Sequence, residues 1–128
     1  RMYCNATKTG FEAFKRVVDS HNLRFKNQTR WMKVSEIGRY WAAKEMCQFR
    51  SVGSNAIEID LPLHCNDFTI VVPTGPPTKQ PMITREGKLT PIRSVDSKSK
   101  LAANTFTVDD GRMIACLNAP KGKTQLQW

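Results

Sequence analysis

The stretch Trp31-Met-Lys-Val-Ser-Glu-Ile-Gly-Arg-Tyr-Trp-Ala-Ala-Lys-Glu45 reads as a short buried strand running into a capped amphipathic helix. Trp31, Met32 and Val34 supply the strand. Ser35 is a good N-cap, and Glu36 suits the positive end of the helix dipole. Ile37, Tyr40, Trp41 and Lys44 then follow at i, i+3, i+4 and i+7, the spacing of an inward stripe. Gly38 interrupts the run of helix formers and is read as a packing accommodation. Strand, turn and helix at this spacing make a βα unit. Its helix folds back over its own strand, which predicts that Trp31 and Trp41 are buried together.

Working outward, the α/β pattern stops at once. Upstream, Thr9-Gly-Phe-Glu12 is a capping box that opens a helix to about Asn22, with Phe11, Phe14, Val17, Val18 and His21 on one stripe. Downstream the period changes. Ala56–Leu61 alternates as a half-buried strand does. Phe68–Val72 is β-branched and bounded by Asn66-Asp67 and Pro73. Residues 73–81 form a Pro-rich loop. Weaker strands follow at 82–85 and 88–93 about Glu86-Gly87, then a polar loop at 94–100. Asn104–Val108 and Arg112–Leu117 flank Asp109-Asp110-Gly111, a good hairpin turn, and Thr124–Trp128 is a last strand. The expected fold class is α+β. A helix-strand-helix segment, residues 1–49, precedes a small, mainly antiparallel β-sandwich-like module, residues 50–128. Phe11, Phe14, Val18, Trp31, Ile37 and Trp41 are the expected core of the first segment.

At 128 residues the chain can bury a real core. No apolar run approaches the roughly 20 residues of a membrane span, so no membrane partner is expected. The opening residues show no signal-peptide pattern, and the start at Arg1 rather than Met is read as processing, trimming or proteolysis. The net charge is +9, from 20 Lys and Arg against 11 Asp and Glu. Such an excess attracts nucleic acid or anionic polymers. The basic residues are dispersed, however, and none forms a run of five, which fits the solvated faces of two helices. Cys4, Cys47, Cys65 and Cys116 include no CxxC pair and are read as buried free thiols. Asn5-Ala-Thr7 and Asn27-Gln-Thr29 match the glycosylation pattern, at about the rate chance allows.

Little here is arranged for catalysis. The two histidines are His21, beside an apolar helical stripe, and His64, whose neighbour Cys65 would point to the opposite face of a strand. No Cys/His spacing suits a metal, Asp109-Asp-Gly111 lacks the EF-hand pattern, and no Gly-rich phosphate loop occurs, so no catalytic residue, metal ligand or cofactor is assigned. Glycan contact needs exposed aromatics. Phe49, Phe106 and Trp128 are the candidates, and each also fits a place in the core. A small basic nucleic-acid-binding module is the rival reading, supported by charge and by aromatics among cations. A Cys- or His-dependent enzyme is the third.

Gly10-Phe-Glu-Ala-Phe-Lys-Arg-Val-Val18, the stretch 31–45, Pro62 to Val72 with Asp67-Phe-Thr-Ile-Val71, and Val108-Asp-Asp-Gly-Arg-Met-Ile-Ala-Cys-Leu-Asn-Ala-Pro-Lys-Gly122 together resemble the C-terminal part of polysaccharide deacetylase-like proteins. The resemblance implies that residues 9–45 match the last elements of a (β/α) barrel and residues 50–128 an appended β domain. The family's metal is held by one Asp and two His, with a second Asp as base, on earlier strands. Those motifs are absent here, so no catalytic residue carries over. The implied function is that of a non-catalytic segment, structural or glycan-contacting, of an extracellular or cell-envelope protein. Its implied partners are an upstream barrel or a second copy of itself, and polysaccharide.

Overall fold

The computed structural model describes residues 8–26, 28–29, 31–73 and 77–128. Cys4, Asn5 and Asn27 lie outside the described residues, as do residues 74–76 of the expected Pro-rich loop. The chain divides into two compact units, one ending at Trp31 and the other running from Met32 to Trp128. The helix of the quoted stretch therefore belongs with the strands.

In the first unit, α1 spans Thr9–Phe25. Thr9 already lies inside it; the N-cap is Lys8, whose carbonyl accepts the Glu12 N–H at 3.0 Å. The helix runs one turn past Asn22, and Arg24 in its last turn suits the negative end of the dipole. His21 is partnered, as a rim histidine should be. Its ring lies 5.0 Å from Phe25 and 5.3 Å from Trp31, with Nε2 3.2 Å from the Thr29 hydroxyl. The Trp31 indole N–H donates to Asn22 Oδ1 at 2.6 Å. The expected core is not formed here: Phe11 and Phe14 are about half exposed, Trp31 is 59% exposed and Val18 is half-buried. Within this unit no second described element covers the helix stripe.

The second unit opens with Lys33 in extended backbone, φ −69° and ψ 144°. That segment pairs with no other strand, and Val34 already starts α2, Val34–Met46. Lys33, not Ser35, is the N-cap. The Glu36 carboxylate accepts the Lys33 N–H and the Glu36 N–H donates to the Lys33 carbonyl, both at 2.9 Å. The helix buries the neighbouring stripe to the one expected. Ala43 is fully buried, with Tyr40 and Cys47 packed against the core, while Ile37 is 53% and Trp41 66% exposed. The small Ala43 side chain lets the helix approach the sheet; the bulk of Trp41 fits no such contact. Gly38 meets nothing within 4 Å, so it accommodates no packing.

Nine strands follow among the described residues. Strands β1 (Gln48–Ser51), β2 (Ala56–Leu61), β4 (Met82–Arg85), β5 (Lys88–Pro91) and β9 (Gly122–Gln127) form one antiparallel sheet in the order β1-β2-β9-β4-β5. Strands β3 (Cys65–Val72), β6 (Arg93–Ser94), β7 (Thr105–Asp109) and β8 (Arg112–Ala119) form the other, β3-β8-β7-β6, antiparallel except for β6 and β7. The α+β class with a two-sheet β module is as expected. One core joins the inner faces: Ile59, Leu61, Ile83 and Leu126 from the first sheet meet Phe68, Ile70, Met113 and Leu117 from the second. Burying each such side chain contributes roughly 1.5–3 kcal/mol.

Turn chemistry fixes the registers. Glu86-Gly87 and Asp110-Gly111 both have positive φ at their two central positions, the I′ geometry that matches strand twist. They close β4–β5 through the Arg85–Lys88 pair and β7–β8 through the Asp109–Arg112 pair. Asn66-Asp67 does not end β3. The strand bulges there, with Asp67 at φ 54°, a conformation Asp tolerates, and resumes at Phe68.

Candidate binding cleft

All residues of the site lie in the second unit. Strand β1 is one edge of the five-stranded sheet, and β3 is one edge of the four-stranded sheet. Between these edges, at the end of α2, opens a cleft of about 730 Å³. A ligand pocket is typically a few hundred to a thousand Å³, mainly apolar, with a few placed polar groups. Helix α2 contributes Tyr40 and Lys44, and its C-cap the half-buried Cys47; β1 contributes Phe49 and Ser51; β3 contributes Phe68 to Val72. Trp128 closes one side, its backbone N–H donating to the Asn55 carbonyl at 3.0 Å. The Tyr40 and Phe68 rings stand 6.0 Å apart and tilted, which sets the floor where helix meets sheet.

A second depression of about 420 Å³ shares Gly53, Ser54, Ala56 and Trp128 with the first. A third, of about 360 Å³, shares Thr78, Lys79 and Gln80 with the second. The β1–β2 turn and the segment 77–80 thus mark out three neighbouring depressions.

The three candidate aromatics distribute over this surface. Phe49, 52% exposed, lines the main cleft. Trp128 is half-buried and lines both the first and the second depressions. Phe106 lines the third but is only 8% exposed, so it belongs to the core and offers an edge at most. Residue patterns gave no sign of Lys79 as a site residue, because it sits in a loop without periodicity. Lys44 falls at the rim of the stripe singled out above, where a long side chain can lie along apolar surface with its ammonium in water.

Reactive groups are not gathered in the cleft. The Cys47 thiol donates to the Lys44 carbonyl at 3.3 Å, and burial pushes its pKa up, away from a nucleophilic thiolate. His64 is exposed, with Nε2 2.9 Å from Asn118 Oδ1, while Cys65 is buried on the opposite side of the strand start, so the two do not act together. Burial and, next, the Asp67 charge push the Cys65 thiol up as well. No three His, Cys, Asp or Glu side chains converge among the described residues. No described helix is long and apolar enough to cross a membrane.

No protein-family model, curated protein or solved structure matches this chain.

Proposed function

We propose that this chain is the non-catalytic C-terminal part of a polysaccharide deacetylase-like protein, and that its β module holds a glycan chain in the cleft between β1 and β3. The observation that carries this reading is the placing of Phe49 and Trp128 in one cleft with Ser51, Ser54 and Thr69 around them. A sugar ring offers an apolar C–H face and a rim of hydroxyls. An aromatic face suits the first, and side chains that both donate and accept suit the second. Neighbouring depressions suit a linear chain better than a single ring.

The test is a titration of the full chain with soluble linear oligosaccharides, following the tryptophan indole N–H signals by NMR. The Trp128 signal, assigned by Trp128→Phe, shifts on binding, and Phe49→Ala weakens binding while leaving the remaining spectrum in place. Shifts confined to Trp31 or Trp41 would move the contact surface away from the cleft. The non-catalytic half of the proposal is tested separately. Pure protein releases no acetate from acetylated chitooligosaccharides, with or without added divalent metal; metal-dependent release by a homogeneous sample would overturn it.

A further inference from the structure

From the charge of the cleft we infer that its ligand is an acidic linear polysaccharide, one bearing a carboxylate on its sugar rings. This inference rests on the glycan reading and adds the ligand class. Among the described residues, the lining of the three depressions includes two cations, Lys44 in the first and Lys79 in the second and third, and no Asp or Glu. A neutral chain needs no such bias. A cationic, amino-bearing chain would meet repulsion at both lysines and find no carboxylate partner. A chain carrying one negative charge per ring can place charges at both lysines while its rings lie along Phe49 and Trp128. The surrounding polar groups are hydroxyls and amides, including Ser51, Ser54, Asn55 and Gln127, which match ring hydroxyls.

The same charge would attract single-stranded nucleic acid, but the distribution favours the saccharide. Grooves for nucleic-acid strands track the backbone with cations and present open aromatic faces for the bases. Here, among the described residues, two Lys and no Arg line the depressions. Phe106 is core and Trp128 half-buried, so of the three aromatics Phe49 alone is more than half exposed, where a run of stacked bases needs several open faces.

The experiment compares oligogalacturonate with its fully methyl-esterified form, which keeps the rings and removes the charge. Binding to the full chain is followed at the Trp128 indole signal. The acid form is expected to bind about fivefold or more tightly in low salt, with the difference fading near half-molar salt. Lys44→Gln and Lys79→Gln are exposed changes and should each weaken the acid form roughly two- to fivefold more than they weaken the ester. Equal binding of acid and ester with the Trp128 shift retained would overturn the charge inference and leave the glycan cleft standing. No shift with any saccharide would overturn both. A thymidine oligonucleotide that shifts Trp128 at lower concentration than oligogalacturonate would overturn both in favour of nucleic acid.

Discussion

Ala43 and Trp41 lie two positions apart on α2 and have opposite fates, the first fully buried and the second 66% exposed. Trp41→Ala is accordingly expected to cost under about 1 kcal/mol, as surface changes do, whereas Met113→Ala should cost about 2–5 kcal/mol. Urea denaturation of both variants checks this; similar losses would contradict the burial pattern. Cys65 offers a second measurement. Its thiol is raised in the folded protein, so it contributes stability that is present below the unfolded thiol's value and lost as pH rises through the folded one. The stability of the protein relative to Cys65→Ala should therefore begin to fall as pH rises through the ordinary thiol range, about 8.5, and go on falling above it. A difference that does not change with pH would show that this thiol ionises alike in both states.

At the level of elements, Gly38 sits mid-helix in α2 with open space where a Cβ would stand. Gly38→Ala should raise stability by about 0.5–1 kcal/mol, because the helix loses a flexible residue and gains no clash. The reverse holds at Gly111, which has φ +70° in the β7–β8 turn; Ala there should destabilise by about 1 kcal/mol or more. Thermal melts of the two variants should move in opposite directions. These elements also show what the residue pattern carries. Strands such as Ala56–Leu61, and turns such as Asp110-Gly111, are local, so alternation and turn chemistry reveal them. The stretch 31–34 has strand-forming residues, but a strand exists only where a neighbour pairs with it, and pairing is not local. Strand β1 has the opposite history: Gln48–Ser51 is exposed throughout, carries no alternation, and is a strand because β2 lies beside it. The cleft was legible only in part for the same reason. Phe49 and Trp128 stand out as aromatics, but what joins them is the pairing of β1 and β9 with β2.

For the whole molecule, the division after Trp31 predicts that Met32–Trp128 folds alone. Expressed by itself, it should unfold cooperatively with a midpoint within a few degrees of the full chain's main transition. A fragment lacking dispersed amide signals would show that the β module needs the first unit. Within the module, the position of β9 governs the order of assembly. It pairs with β2 on one side and β4 on the other, so the five-stranded sheet is two separate hairpins without it. On the ribosome, β1–β2 and β4–β5 emerge well before residues 122–127, each with an open edge and an apolar face. Neither can meet the other until the last strand of the sheet leaves the exit tunnel. Maturation of this half of the core therefore waits for residues 122–127 to leave the tunnel, and nascent chains stalled at Lys121 should be readily cut by protease where chains with β9 exposed resist. The interval between is when edge strands seek the wrong neighbours, and it is set by nothing more than where in the gene the central strand is written.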